Sequence, residues 1–98
     1  MSIMTNILNA VLNFIEGPLS PDAMAKALDA KAAANPEKLD WRNSIVDLMK
    51  LTGQDSSLSN REHLAAELGY QGGFNGSAEM NIWLHEKVME QLSTGLYT

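Results

Sequence analysis

Residues 40–53 read Asp40-Trp41-Arg42-Asn43-Ser44-Ile45-Val46-Asp47-Leu48-Met49-Lys50-Leu51-Thr52-Gly53. Trp41, Ile45, Leu48, Met49 and Thr52 fall at offsets 0, 4, 7, 8 and 11, the recurrence of one face of an α-helix. Asp40 is the expected N-cap and Gly53 the C-terminal stop. The segment IVDLM looks strand-like in isolation but is embedded in this helical period, and the chain shows no convincing strand elsewhere.

Downstream, Ser59 and Glu62 fit the capping box S-x-x-E and predict a short helix over about 60–68, with Leu64 and Leu68 facing the core and Gly69 ending it. Residues 69–76, GYQGGFNG, hold four glycines in eight and predict a sharp turn. Ser77 is then the expected cap of a last helix with Met80, Trp83, Leu84, Val88 and Leu92 on its main apolar face. Ile82 and Met89 form a flanking ridge, and Gly95 is the stop. Trp41 and Trp83 both read as core residues.

Upstream, Ile3, Ile7, Leu8, Val11, Leu12, Phe14 and Ile15 recur at helical spacing, while Thr5, Asn6, Asn9, Asn13 and Glu16 make a narrow polar stripe. Gly17-Pro18 ends that helix, and Ser20-Pro21-Asp22 starts another by capping, a preset first turn and a favourable charge at the helix dipole. Residues 22–34 favour helix strongly, since eight of the thirteen are Ala or Leu. Met24 and Leu28 give only a thin apolar edge, so a surface helix or semi-rigid linker is expected there, with close packing through small residues as the alternative.

The expected fold is therefore all-α. A small bundle of about three core helices spans residues 38–98, preceded by an N-terminal amphipathic helix in 1–17 and an Ala-rich helix or linker in 18–37. A fragment beginning at Pro36 is expected to fold by itself.

The segments LDWRNSIVDLMK, DSSLSNREHLAAELGY and SAEMNIWLHEKVM, in this order over roughly residues 37–93, resemble the bacterial domain of unknown function 3597 family. The opening MSI with a short apolar helix is also similar to it. The resemblance implies a compact all-helical domain after a variable linker. It carries no activity, cofactor or site residue to this chain. The short linker and the abbreviated end from Ser93 to Thr98 depart from the family's usual pattern.

Composition narrows the functional classes. The chain has 98 residues, enough for one small domain. Seven Lys and Arg against twelve Asp and Glu give a net charge of -5, a sign that opposes binding to nucleic acid. Without cysteine there is no disulfide, thiol nucleophile or zinc-thiolate site. The start lacks the basic flank and cleavage site of a signal peptide, and a cytoplasmic protein is expected.

Candidate chemistry is sparse. His63 and His85 stand 22 residues apart on different helices and read as ordinary half-exposed residues rather than a metal pair. An EF-hand reading from Asp55 fails because Asn60 and Ala66 stand where the loop needs Gly and Glu. The loop before Ser77 could offer backbone amides to an anion, but no Walker lysine follows and Glu79 would repel it. A helix-turn-helix reading fails on Glu79, Glu86 and Glu90. No catalytic residue, cofactor site or metal site is expected, and the chain reads as a non-enzymatic interaction or assembly module.

The residues expected to carry that role are Ile3, Ile7, Leu8, Val11, Phe14 and Ile15, because nine of the fourteen positions from Ile3 to Glu16 are apolar. That band is wider than a one-sided surface helix needs. It is expected to meet a protein partner or a second copy of the chain. Its own bundle and a lipid surface are the competing ways to cover it. A membrane-surface or cell-envelope (peptidoglycan) binding protein is the alternative reading, and the lack of Lys and Arg on the polar stripe weighs against the membrane.

Overall fold

In a computed structural model, which describes residues 2–73 and 78–96, the chain folds into five helices. They are α1 (Ile3–Phe14), α2 (Pro21–Ala34), α3 (Ile45–Leu51), α4 (Leu58–Glu67) and α5 (Ala78–Leu96). No strand occurs among the described residues, and the expected all-α class is the observed one.

Local chemistry sets the helix ends. The Ser2 hydroxyl accepts from the Thr5 amide at 2.9 Å and caps α1. The Ser20 hydroxyl accepts from the Ala23 amide at 3.0 Å, and Pro21 occupies the first turn of α2, as its sequence signature requires. After α3, Gly53 takes φ +76 and the Gln54 amide closes on the Met49 carbonyl at 2.8 Å. Gly69 repeats this arrangement after α4, with φ +88 and Tyr70 bonded to the Ala65 carbonyl at 2.9 Å. A side chain at either position would be strained in this left-handed backbone.

Three boundaries differ from expectation. The helical face beginning at Trp41 is not one continuous helix. The Asp40 carbonyl accepts from the Asn43 and Ser44 amides, closing a turn over residues 40–44. Ser44, not Asp40, then caps α3 through the Asp47 amide at 3.1 Å. Trp41, Ile45, Leu48, Met49 and Thr52 are nevertheless all buried, because the turn keeps Trp41 on the face the period assigned to it.

In the same way Ser57, not Ser59, caps α4 through the Asn60 amide at 3.3 Å. The Asp55 carboxylate holds Ser57 in place by accepting from its amide and hydroxyl. At the other end α5 continues past the expected stop at Gly95 to Leu96. The expected cap at Ser77 and the glycine turn over residues 74–76 lie outside the described residues.

One buried apolar cluster takes residues from all five helices. Ile7 and Val11 come from α1, Met24 and Leu28 from α2, Leu48 and Met49 from α3, Leu64 and Ala65 from α4, and Met80, Leu84, Val88 and Leu92 from α5. Residues 22–34 form the expected surface helix with its thin apolar edge, since Met24 and Leu28 are its buried residues; that edge joins the core, so the helix is not a linker. Trp83 packs against the core only in part, tilted on Tyr70 with ring centroids 4.9 Å apart. Ile82, on the same helix, is 61% exposed.

Candidate functional site

The apolar helix α1 is the element to which the sequence points. On a helix of 3.6 residues per turn, Ile7 and Val11 lie at the centre of its apolar band. Both are fully buried in the core of the chain itself. Ile3, Leu8, Phe14 and Ile15, together with Met4 and Leu12, are only partly buried at its flanks. The six expected contact residues thus separate into a buried pair and four on the flanks. The flanks keep part of their surface open to solvent, whereas Ile7 and Val11 have none.

Two contacts to other helices hold α1 in its seat. At its start, the Glu67 carboxylate of α4 accepts from the Ile3 amide at 2.9 Å and the Met4 amide at 3.2 Å. These amides have no partner within their own helix, and their positive dipole end favours a carboxylate. At its end, the Lys31 ammonium of α2 lies 4.9 Å from the centroid of the Phe14 ring, a cation–π distance. Sequence reasoning missed Glu67, because nothing local marks a glutamate at the end of one helix as the cap of another 64 residues away.

A second cluster joins α2 to the turn before α3. The Asp29 carboxylate accepts from the Trp41 indole at 3.1 Å and from both terminal nitrogens of Arg42 at 2.6 and 3.0 Å. The Arg42 guanidinium also stacks 4.4 Å from the Trp41 ring centroid. The hydrogen bond from Arg42, aided by the one from Trp41, holds the Asp29 carboxyl below its ordinary pKa against a partial opposing effect of desolvation. The same pairing raises Arg42. Both partners are half open to solvent, with side-chain exposures of 54% and 51%, so the pair orients the turn more than it stabilises it.

The two histidines differ from their common expectation. His63 is exposed beside Glu62. His85 is buried, and its Nε2 lies 2.7 Å from the Trp41 carbonyl oxygen. A carbonyl only accepts, so Nε2 carries the hydrogen. The described residues contain no group of three or more His, Cys, Asp or Glu side chains placed to hold a metal ion.

An open groove of about 640 Å³ runs between the end of α1 and the length of α2. Glu16 and Asp22 oppose Lys26 and Lys31 along it, so it presents no net charge to select a ligand. The Asp55 carboxylate accepts from the amide and hydroxyl of Ser57 in the turn before α4. Arg61 of α4 donates to the side-chain oxygen of Asn81 on α5 at 2.8 Å, tying the two helices together.

The chain belongs to the family described as Domain of unknown function (DUF3597), which it matches over residues 14–95. It is similar to a conserved unknown protein from Rhodopseudomonas palustris whose solution structure is known. The two are 40% identical and superpose with a TM-score of 0.74, covering 96% of this chain and 92% of the other. No curated protein matches. No helix among the described residues is long and apolar enough to cross a membrane.

Proposed function

We propose that this chain is a non-enzymatic protein-interaction or assembly module that works through α1. The observation that carries the reading is the incomplete cover of that helix. Its apolar band takes in Ile3, Met4, Leu8, Leu12, Phe14 and Ile15 beyond the buried Ile7 and Val11, and these six are only partly covered by the rest of the fold. Apolar surface left facing water favours association by about 25 cal/mol per Å² removed from solvent. The polar stripe of Thr5, Asn6, Asn9, Asn13 and Glu16 carries no cation for an anionic membrane, which favours a protein partner, with a second copy of the chain first among candidates. As part of the same proposal the module works in the cytoplasm, a compartment that suits a chain without cysteine.

Sedimentation over a concentration series, paired with amide NMR spectra of the same samples, tests the reading. The expected result is reversible association, with shift changes concentrated in residues 3–16 and in the residues of α2, α4 and α5 that touch them. A chain that stays monomeric at millimolar concentration, or that associates with shifts confined elsewhere, overturns it. Flotation with anionic vesicles supplies the contrasting outcome.

A further inference from the structure

The outward face of α5 has an amphipathic pattern of its own. Met80, Leu84, Val88 and Leu92 are fully buried on the core side. On the opposite side Ile82 is 61% exposed, more than any other large apolar side chain among the described residues. At about 100° per residue, Met89 falls roughly 20° to one side of Ile82, while Glu86, Glu79 and Glu90 fall roughly 40°, 60° and 80° to the other. Met89 is half-buried against the core, and the three glutamates are exposed. The face therefore sets an apolar edge beside an acidic one.

Packing within the chain accounts for neither Ile82 nor the two later glutamates. Glu79, in the first turn, suits the positive end of the helix dipole. That field dies away within a turn and does nothing for Glu86 and Glu90. Those two are like charges four residues apart, a spacing that destabilises a helix. Lys87 lies 3.6 Å from Glu90, while Glu79 and Glu86 have no hydrogen bond or ion pair among the described residues. From Gln54 to Thr98 six acids stand against two bases, so most of the net charge of -5 belongs to this half of the chain.

Such a face selects its occupant by charge. Its carboxylates repel anionic lipid, nucleic acid and the same face of a second copy. The other helices of the chain do not supply the complement. No Lys or Arg occurs in α1, and α2 sets Asp22 and Asp29 among Lys26 and Lys31. Lys50 of α3 is paired with Glu37, and Arg61 of α4 with Asn81. We propose that the Ile82 face of α5 is a docking surface for a cationic amphipathic helix of a different protein. Its apolar side covers Ile82 and Met89, and its Lys or Arg side chains meet Glu79, Glu86 and Glu90, the mode of an amphipathic helix laid on an apolar face. The cations steer the encounter and fix the register, and a cation between Glu86 and Glu90 relieves their repulsion.

The test is titration of the full-length chain with a synthetic helix-forming peptide, leucines on one face and lysines on the other, followed by calorimetry and amide NMR. Saturable binding is expected, with shift changes concentrated in residues 78–93 and no response to the same peptide carrying glutamate in place of lysine. Ile82→Ser is expected to weaken binding roughly tenfold, and Ile82→Val to restore it. The double variant Glu86→Gln, Glu90→Gln is also expected to weaken it roughly tenfold. Glu16→Gln, Glu62→Gln makes the same change of net charge elsewhere and is expected to alter binding by less than about twofold. The exposed glutamates carry the test should Ile82→Ser unsettle the fold. Equal losses in the two double variants mean attraction to net charge alone and overturn the proposal, as does full binding by a folded Ile82→Ser chain. Shift changes gathered in residues 3–16 overturn it too, while leaving α1 as the assembly element.

Discussion

The imidazole of His85 donates from Nε2 to the backbone carbonyl of Trp41 across 2.7 Å inside the core. This bond fastens α5 to the turn over residues 40–44, the one irregular stretch that contributes a tryptophan to the buried cluster. The carbonyl could not be left facing apolar side chains without cost, and a histidine one position beyond the Leu84 face supplies the donor. His85→Phe retains the bulk and removes the donor. It is expected to destabilise by about 1–3 kcal/mol, the range for a buried group left without its partner. Urea unfolding with an unchanged slope measures it, and an unaltered midpoint would mean that the carbonyl finds another partner.

The two tryptophans are expected to behave unequally. Trp41 is 4% exposed and makes an indole hydrogen bond to Asp29, whereas Trp83 is only partly covered and leans on Tyr70. Trp41→Ala is expected to cost roughly 3–5 kcal/mol, the range for truncating a buried aromatic residue. Trp83→Ala is expected to cost less, about 1–3 kcal/mol, because part of its surface already meets water. Thermal melts of both variants give the order. Equal losses would mean that Trp83 is as firmly packed as Trp41.

Asp29 gives the fold a defined acid response. Arg42 and Trp41 lower its folded pKa beneath the unfolded value, so the contribution is fully present above the ordinary aspartate range. It is lost as pH falls through the lowered folded pKa. Wild type is therefore expected to lose stability toward low pH more steeply than Asp29→Asn, with the two curves running parallel above about pH 5. Unfolding midpoints measured from pH 7 down to 3 decide it, and curves parallel over the whole range would remove Asp29 from the acid response.

Glu67 offers a local readout. Glu67→Gln keeps a side chain that can accept a hydrogen bond but removes the charge that complements the α1 dipole. A loss of about 0.5–1 kcal/mol is expected, with faster hydrogen exchange at the Ile3 and Met4 amides than elsewhere in α1. Uniform acceleration along the helix would instead mark general loosening.

Helical periodicity and terminal punctuation made the elements legible before the structure. Ser20-Pro21, Gly53 and Gly69 act within a few residues of themselves, so sequence reveals them. The cap of α3 was misplaced because Asp40 and Ser44 both carry an oxygen suited to the task, and the choice falls to the backbone turn between them. Ser57 and Ser59 present the same ambiguity before α4. The tertiary partners were not legible at all. Asp29 in an Ala-rich helix and Glu67 at a helix end read as solvated acids in sequence because their partners are distant segments, and His85 reads as half-exposed because the Trp41 carbonyl that it meets lies 44 residues away. For the candidate site, the breadth of the α1 band could be counted from sequence, but which of its residues the bundle would cover could not.

A fragment of residues 36–98 now carries a different expectation from the one its sequence invites. Its capped helices and most of its large apolar residues suggest an independent unit. The buried cluster also contains Ile7, Val11, Met24 and Leu28 from the two helices such a fragment lacks. At about 1.5–3 kcal/mol for each fully buried side chain, their removal withdraws roughly 6–12 kcal/mol of gross burial, comparable with the whole stability of a small domain. The turn at Trp41 also loses the Asp29 carboxylate that holds its indole. The fragment is therefore expected to be helical in part but not cooperatively folded, with poor amide dispersion and a broad melt. Adding a peptide of residues 1–35 is expected to restore dispersion. A fragment with a sharp transition and native-like spectra by itself would show that α3, α4 and α5 form a sufficient core, and that α1 and α2 are appended to it rather than part of it.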